Sequence, residues 1–356
     1  MSNHKSIYSN ILQPSTLKNK DIMKKKKRIL FAIILASVLI VAVCLIAGGN
    51  DSEAGHYSRE KNSAKIAVID RTNGHITTAV QQIMIGSKCG SYDEALSILK
   101  KLKAADYEAI ELNDFMIHPT VLSVKLMTKF AGMPIGNGGK LDWPKLIEES
   151  GLKVQSLHVY LASIEEDPKG VAEEAKLFGT DTIVLTGMYR FDYSSLSEVE
   201  DLARRLNEAG KALKNEGIRL LYHNHNCELQ KVDDGRTAFD VLIEETDPEY
   251  VNFEFDSYWF ADGGADVEYY IEKLGPRMKL WHINDRGNRE KGPYNTPLID
   301  VDAVELGYGN MNLEKYAATA KKNGLEGVVL ETHKNWIDKD PVKSAVMSFE
   351  FIKNNF

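Results

Sequence analysis

Cysteine is scarce in this sequence: Cys44, Cys89 and Cys227 are the three in 356 residues, and no two form a Cys-x-x-Cys pair. A disulfide framework and a thiolate-built metal centre are therefore excluded. A glycine-rich phosphate turn is also missing. The candidate first strand–helix turn reads Gly86-Ser87-Lys88-Cys89-Gly90, which is not the G-x-G-x-x-G of dinucleotide-binding folds. Positive charge is sparse outside the N-terminus. The first fifty residues hold eight Lys/Arg against Asp21, a net +7, so the whole-chain charge of −7 leaves −14 on the remainder. A body this acidic repels phosphate backbones, which argues against nucleic acid as the main partner.

One long uncharged run is present, from Ile29 to Gly49, directly after Met23 and the basic cluster Lys24-Lys25-Lys26-Lys27-Arg28. A basic flank before about 20 apolar residues reads as a membrane anchor or an export signal. Its length favours a spanning helix. A lipoprotein signal ending at Cys44 ranks lower, because Val43 stands where a small residue is usual. In each case the positive-inside rule leaves the basic flank in the cytoplasm and places the body outside. Residues 1–22 are polar and irregular; they are expected to be disordered, or to lie upstream of a true start at Met23. Residues 50–80 read as a linker with a short apolar piece, Ile66-Ala67-Val68-Ile69.

From residue 81 to 356 short apolar strands alternate with amphipathic helices, the pattern of a parallel sheet. The strands are expected at 82–86, 107–113, 153–161, 181–188, 218–225, 251–259, 278–285 and 326–333. The helices are expected at 92–105, 142–150, 168–178, 196–216, 237–245, 266–274, 312–323 and 341–354. Eight such units over about 270 residues match a (β/α)8 TIM barrel better than a doubly wound sheet.

In a barrel of this type, reactive groups collect where the strands end, and here the later strands end in metal-ligand residue types. The fifth closes on Tyr222-His223-Asn224-His225, with Glu228 just beyond; alternation puts His223 and His225 on one face. The sixth carries Glu254 and Asp256, the seventh His282, the eighth Glu331 followed by His333, and the third His158. Isolated carboxylates in apolar strands are costly unless partnered. His223, Asp256, His282 and Glu331 would together form a mixed nitrogen–oxygen set. Such a set suits Mn, Zn or Fe, with Mn slightly preferred, over the all-oxygen taste of Ca. Glu254 lies one step deeper than Asp256 and reads as a group that hydrogen-bonds a ligand.

The stretch from Ile83 to Lys353 resembles the sugar phosphate isomerase/epimerase superfamily, the xylose-isomerase-like barrels. The resemblance is carried by Tyr222-His223-Asn224-His225 with Glu228, Phe255-Asp256-Ser257-Tyr258-Trp259, His282-Ile283-Asn284-Asp285 and Leu330-Glu331-Thr332-His333. Glu305-Leu306-Gly307-Tyr308-Gly309-Asn310 is similar to the family's Gly-x-Gly loop. The resemblance implies a divalent metal held by His223, Asp256, His282 and Glu331. Two departures stand out. Many members have Glu where His223 stands, so His225 or Glu228 could serve instead. Relatives often have Lys at Asn284, whose role here is lost or passes to a neighbour such as Arg286.

The chemistry expected of such a site is proton abstraction next to a carbonyl, with the metal as Lewis acid stabilising the enediolate. Return of the proton elsewhere gives a sugar isomerase or epimerase; loss of a β-substituent gives a lyase, such as one cleaving 3-keto-glycosides. Glu228 or His225 is the candidate base, and His158 a substrate binder or second acid–base group. Trp259, Tyr160 and Trp281 are candidates for stacking on sugar rings. Asp285 points away from His282 and reads as a helper or salt-bridge residue. The expected partner is a small sugar or glycoside, with the membrane met only through the N-terminal segment; an oligomer is compatible with the sequence. Two rivals stand beside this reading. A phosphodiesterase of the endonuclease-IV-like kind would need more metal ligands and a basic groove. A surface-anchored sugar-binding protein would have no reason to converge two carboxylates and two histidines.

Overall fold

The computed structural model describes residues 64–356, apart from 121, 123–124, 127–128, 130–135, 186, 290–291 and 293–296. The expected anchor, the residues before it and residues 50–63 of the linker lie outside the described residues. Among the described residues no helix is long and apolar enough to cross a membrane.

Eight parallel strands close into a barrel. They are β1 (Thr77–Gln81), β2 (Ala109–Asn113), β3 (Lys153–Val159), β4 (Thr182–Leu185), β5 (Arg219–His223), β6 (Val251–Asp256) and β7 (Met278–Ile283), closed by β10 (Gly327–Leu330). Between the last two, β8 (Asp285–Asn288) and β9 (Val301–Val304) form an antiparallel ribbon. Eight outer helices follow the expected spans within one or two residues: α1 (Tyr92–Ala104), α2 (Trp143–Ser150), α3 (Pro168–Leu177), α4 (Leu196–Asn215), α5 (Ala238–Glu245), α6 (Val267–Leu274), α7 (Leu313–Lys322) and α8 (Pro341–Asn355). Their starts are chemically marked. Asp142 caps α2 by accepting from the Lys145 N–H, with Pro144 in the first turn, and Thr237 and Asp240 form a capping box on α5.

The first strand departs from expectation. It occupies Thr77–Gln81 rather than 82–86, and Gln82–Ile85 is a short helix instead. β-Branched Thr77, Thr78 and Val80 favour the extended chain. The Gln81 side chain then accepts from the Ile83 N–H and turns the backbone out of the sheet. The preceding apolar piece belongs to the barrel as well. Ile69 packs with Ala79, Ala109 and Val329 inside the barrel, while Arg71 bonds Asp181, Thr182 and the Gln155 carbonyl. Residues read as linker thus help to form the floor.

Outward-facing strand residues such as Ile110, Leu157, Tyr222, Phe253, Phe255 and Trp281 join the helices in one large apolar core. Inward positions carry Ala79, Ala109 and Val329 in one small cluster and Val184, Leu221 and Leu280 in another. Toward the strands' C-terminal ends the interior turns polar, with Glu111, His158, His223, Glu254, Asp256 and His282 all buried.

Candidate metal centre

Strand register sets the site. His223 of β5 pairs with Glu254 of β6, and Asp256 of β6 pairs with His282 of β7. Asp256 is the last residue of β6 and also the N-cap of the short helix Ser257–Asp262. Its Oδ1 accepts from the N–H groups of Tyr258 (2.8 Å) and Trp259 (3.1 Å). Asn224, the residue after β5, clamps the Asp256 backbone, accepting from its N–H at 2.9 Å and donating to its carbonyl at 3.0 Å. Glu331 stands one residue past β10, its Oε2 3.1 Å from His282 Nδ1 and its Oε1 3.1 Å from His333 Nε2.

The structure brings His223, Asp256, His282 and Glu331 together, each offering a donor atom within 4.8 Å of the others, and all four are buried. Asp256 Oδ2 is buried without a hydrogen-bond partner, 3.9 Å from His282 Nδ1. Burial, then the neighbouring Glu331, pushes the Asp256 carboxyl up to about 7. Burial opposes charge on His282, but Glu254, Glu111 and Glu331 outweigh it and hold the imidazole well above its ordinary value. Burial and His282 push His223 down to about 3. Protons held at crowded carboxylates and imidazoles are what a bound dication displaces. An orphaned carboxylate oxygen, two imidazoles and a second carboxylate therefore fit a divalent cation.

Glu111, on β2, escaped the sequence reading. Its carboxylate accepts from Gln81 and Ser156 and meets His282 Nε2 at 2.5 Å and His158 Nε2 at 3.0 Å. The signal that could have found it is the one used for β6: a lone carboxylate in an apolar strand, Ala109-Ile110-Glu111-Leu112-Asn113. Glu254 lies fully buried under three imidazoles, those of His158, His223 and His282. Burial works against charge on His158, yet Glu111 and Glu254 hold its imidazole up at about 9.

Other candidates move. Glu228 does not face the His223 cluster. Its carboxylate accepts from the Tyr222 hydroxyl (2.8 Å), the His225 backbone N–H (2.9 Å) and the Cys227 thiol (3.1 Å), so it braces the turn after β5. Its assignment as base is corrected accordingly: both oxygens are engaged on the outer side of β5, where Tyr222 points. His225 lies beyond the strand end, half-buried, its ring 4.9 Å from that of His223 and 6.0 Å from Trp259. Burial lowers its basicity. Trp259 stands between His225 and His333, with a buried indole N–H that has no partner. Tyr160 is exposed at the rim against Phe115. Trp281 is a correction: it faces the helix layer, donates to Ser257 Oγ and packs on Phe356, out of reach of any ligand in the barrel.

Asp285 does point away from His282, and among the described residues it forms no salt bridge. Its carboxylate accepts from the N–H groups of Arg286, Gly307, Gly309 and Met311, which fixes the Gly307-Tyr308-Gly309 loop. At Gly309 a Cβ would overlap that carboxylate, so the loop requires glycine there. Arg286 pairs with Asp262 at 3.0 Å, and the Asn284 side-chain oxygen is buried without a partner.

Comparison with known proteins agrees with this architecture. An inosose dehydratase of Mesomycoplasma hyopneumoniae strain J is 26% identical over 172 residues, 46% of this chain; the chain thus spans 56% of that relative's length. The inosose dehydratase of Clostridium perfringens is 25% identical over 279 residues, 75% of this chain and 84% of the relative. Among solved structures, a sugar phosphate isomerase/epimerase from Parabacteroides distasonis superposes with a TM-score of 0.62 at 20% identity, covering 82% of this chain and 98% of its own. A xylose isomerase-like barrel from Mycobacterium smegmatis in complex with magnesium gives 0.55 at 14%, covering 81% and 98%. The family model for xylose isomerase-like TIM barrels matches residues 99–355, and the chain belongs to that family.

Proposed function

We propose that this protein is a divalent-cation-dependent sugar isomerase or epimerase that removes a proton next to a carbonyl. The observation that carries this reading is the convergence of His223, Asp256, His282 and Glu331 around a buried carboxylate oxygen with no partner of its own. When bound, the cation supplies Lewis acidity toward the oxygens of a hydroxy-carbonyl substrate. The chain's own residues do the rest. Glu111 and Glu254 engage His282 at Nε2, which leaves Nδ1 to face Asp256 and Glu331. His225 is neutral at neutral pH because burial lowers its basicity, and at the mouth it is placed to take the proton, with its backbone N–H fixed by Glu228. His158 keeps its proton between Glu111 and Glu254. Trp259 offers an apolar face and a free indole donor to a ring or hydroxyl of the substrate.

A second reading shares the first half of this sequence. The curated relatives are named inosose dehydratase, and loss of a β-hydroxyl after the same proton abstraction gives dehydration in place of isomerisation. The apolar run after Lys24–Arg28 supports a body held at a membrane and working outside the cytoplasm on sugars or glycosides. Incubation of the purified protein with manganese and a panel of keto-sugars, inososes and 3-keto-glycosides in deuterated water tests both readings. Deuterium is expected at the carbon next to the carbonyl, with a mass loss of one water if the reaction is dehydration. Absence of exchange across the panel, with metal bound, would reject proton abstraction.

A further inference from the structure

We propose that the barrel holds two overlapping and mutually exclusive cation seats, an outer one richer in oxygen and an inner one richer in nitrogen, so that the identity of the ion decides which is filled. This rests on the reading that His223, Asp256, His282 and Glu331 form the outer seat. The inner seat is His158, His223, Glu254 and His282, whose donor atoms also lie within 4.8 Å of one another. Three ring nitrogens meet Glu254 Oε2, His158 Nε2 at 3.0 Å, His282 Nε2 at 3.1 Å and His223 Nδ1 at 3.3 Å, and the first two also meet Glu111 Oε2 beside it. Tetrahedral bonds of about 2.0–2.1 Å place neighbouring donors roughly 3.3 Å apart. Those three separations are compatible with edges of such a tetrahedron.

A second observation points the same way. Glu254 Oε1 is buried without a hydrogen-bond partner, and His223 Nδ1, though 3.3 Å from Glu254 Oε2, is not aligned for a hydrogen bond. A carboxylate retained only to satisfy histidines would share them between its two oxygens; here one oxygen is crowded and the other is bare. The seats exclude each other because they share His223 and His282, and a neutral imidazole lends one lone pair at a time. Three nitrogens and one oxygen suit zinc, whereas two of each leave room for manganese or magnesium. Zinc in the inner seat would withdraw both imidazoles from Asp256 and Glu331 and so disarm the outer one.

Equilibrium dialysis of the full chain with Mn(II), Zn(II) and both, followed by elemental analysis, tests this. Wild type is expected to hold one equivalent in total, with zinc displacing manganese. His158→Ala should weaken zinc by more than about 10-fold and leave manganese within about 2-fold, and Asp256→Asn should do the reverse. Manganese uptake by His158→Ala also reports its folding, and His158→Gln gives the same comparison if the alanine variant is unstable. Two equivalents bound at once, or equal weakening of both metals by both substitutions, would overturn the two-seat arrangement. Failure of wild type to take up manganese would instead refute the outer seat, and the zinc arm with His158→Ala would still judge the inner one.

Discussion

The two ends of the barrel treat carboxylates in opposite ways. At the floor, Asp181 meets Arg71 at 3.0 Å, and Glu326 meets Arg219 at 2.6 Å and Lys279 at 3.3 Å. Each acid there has a permanent cation, and the cluster is partly open to water. At the mouth, Glu111, Glu254, Asp256 and Glu331 are all buried. Among the described residues no Lys or Arg pairs with any of them; the groups that can offset their charge are imidazoles. A permanent ion pair is a finished structural unit. A cluster of carboxylates and imidazoles can exchange protons for a metal, and that capacity separates a site from a brace.

The largest effects should come from the mouth. Asp256→Asn and Glu331→Gln should each strip the cation and lower proton exchange by more than about 100-fold, read by elemental analysis beside the deuterium assay. Asp181→Asn, the floor counterpart, should leave both unchanged; if it does not, the contrast fails. Glu111→Gln should act more gently. It keeps the shape but loses the charge that holds His282 Nε2, so manganese affinity should drop about 10–100-fold in a protein that still folds.

Most of the fold was legible because helix periodicity is unambiguous and eight strand–helix units leave few alternatives. What was illegible lies on the strands. Barrel strands are buried on both faces, so alternation does not say which face is inside. Trp281 and His282 are neighbours in an apolar run, yet one packs in the helix layer and the other in the interior. Glu228 read as a base because it follows two histidines. That the chain turns after His223 and carries this carboxylate back behind Tyr222 is a tertiary fact. The residues at strands five to eight were visible because each is a polar interruption of an apolar run. Glu111 is the same kind of interruption, but it stands alone on β2, away from the successive ligand-bearing ends of the later strands, and the first strand is displaced because the polar start of Thr77–Val80 reads as linker.

At the floor the expected losses are smaller and concern stability alone. Arg219→Met leaves Glu326 with Lys279 and Asp181 with Arg71, so the cost should be about 1–2 kcal/mol after screening by solvent. This would be read as a lower urea midpoint with an unchanged slope and full metal content.

The smallest effect separates the two ends by pH. Burial opposes charge on Asp181 and Glu326. Arg219 with Arg71, and Arg219 with Lys279, nonetheless hold these carboxyls below their ordinary values. A carboxyl whose folded value is depressed stabilises the native state above its unfolded value, near 4, and loses that contribution as pH falls through the folded value. Acid should therefore erode the floor only below about pH 4. A double Asp181→Asn, Glu326→Gln variant should show a flatter fall in thermal midpoint between about pH 4 and 2 than wild type, with the two curves parallel at higher pH. Equal steepness in both proteins would mean that the floor acids are not the groups whose protonation unfolds the barrel.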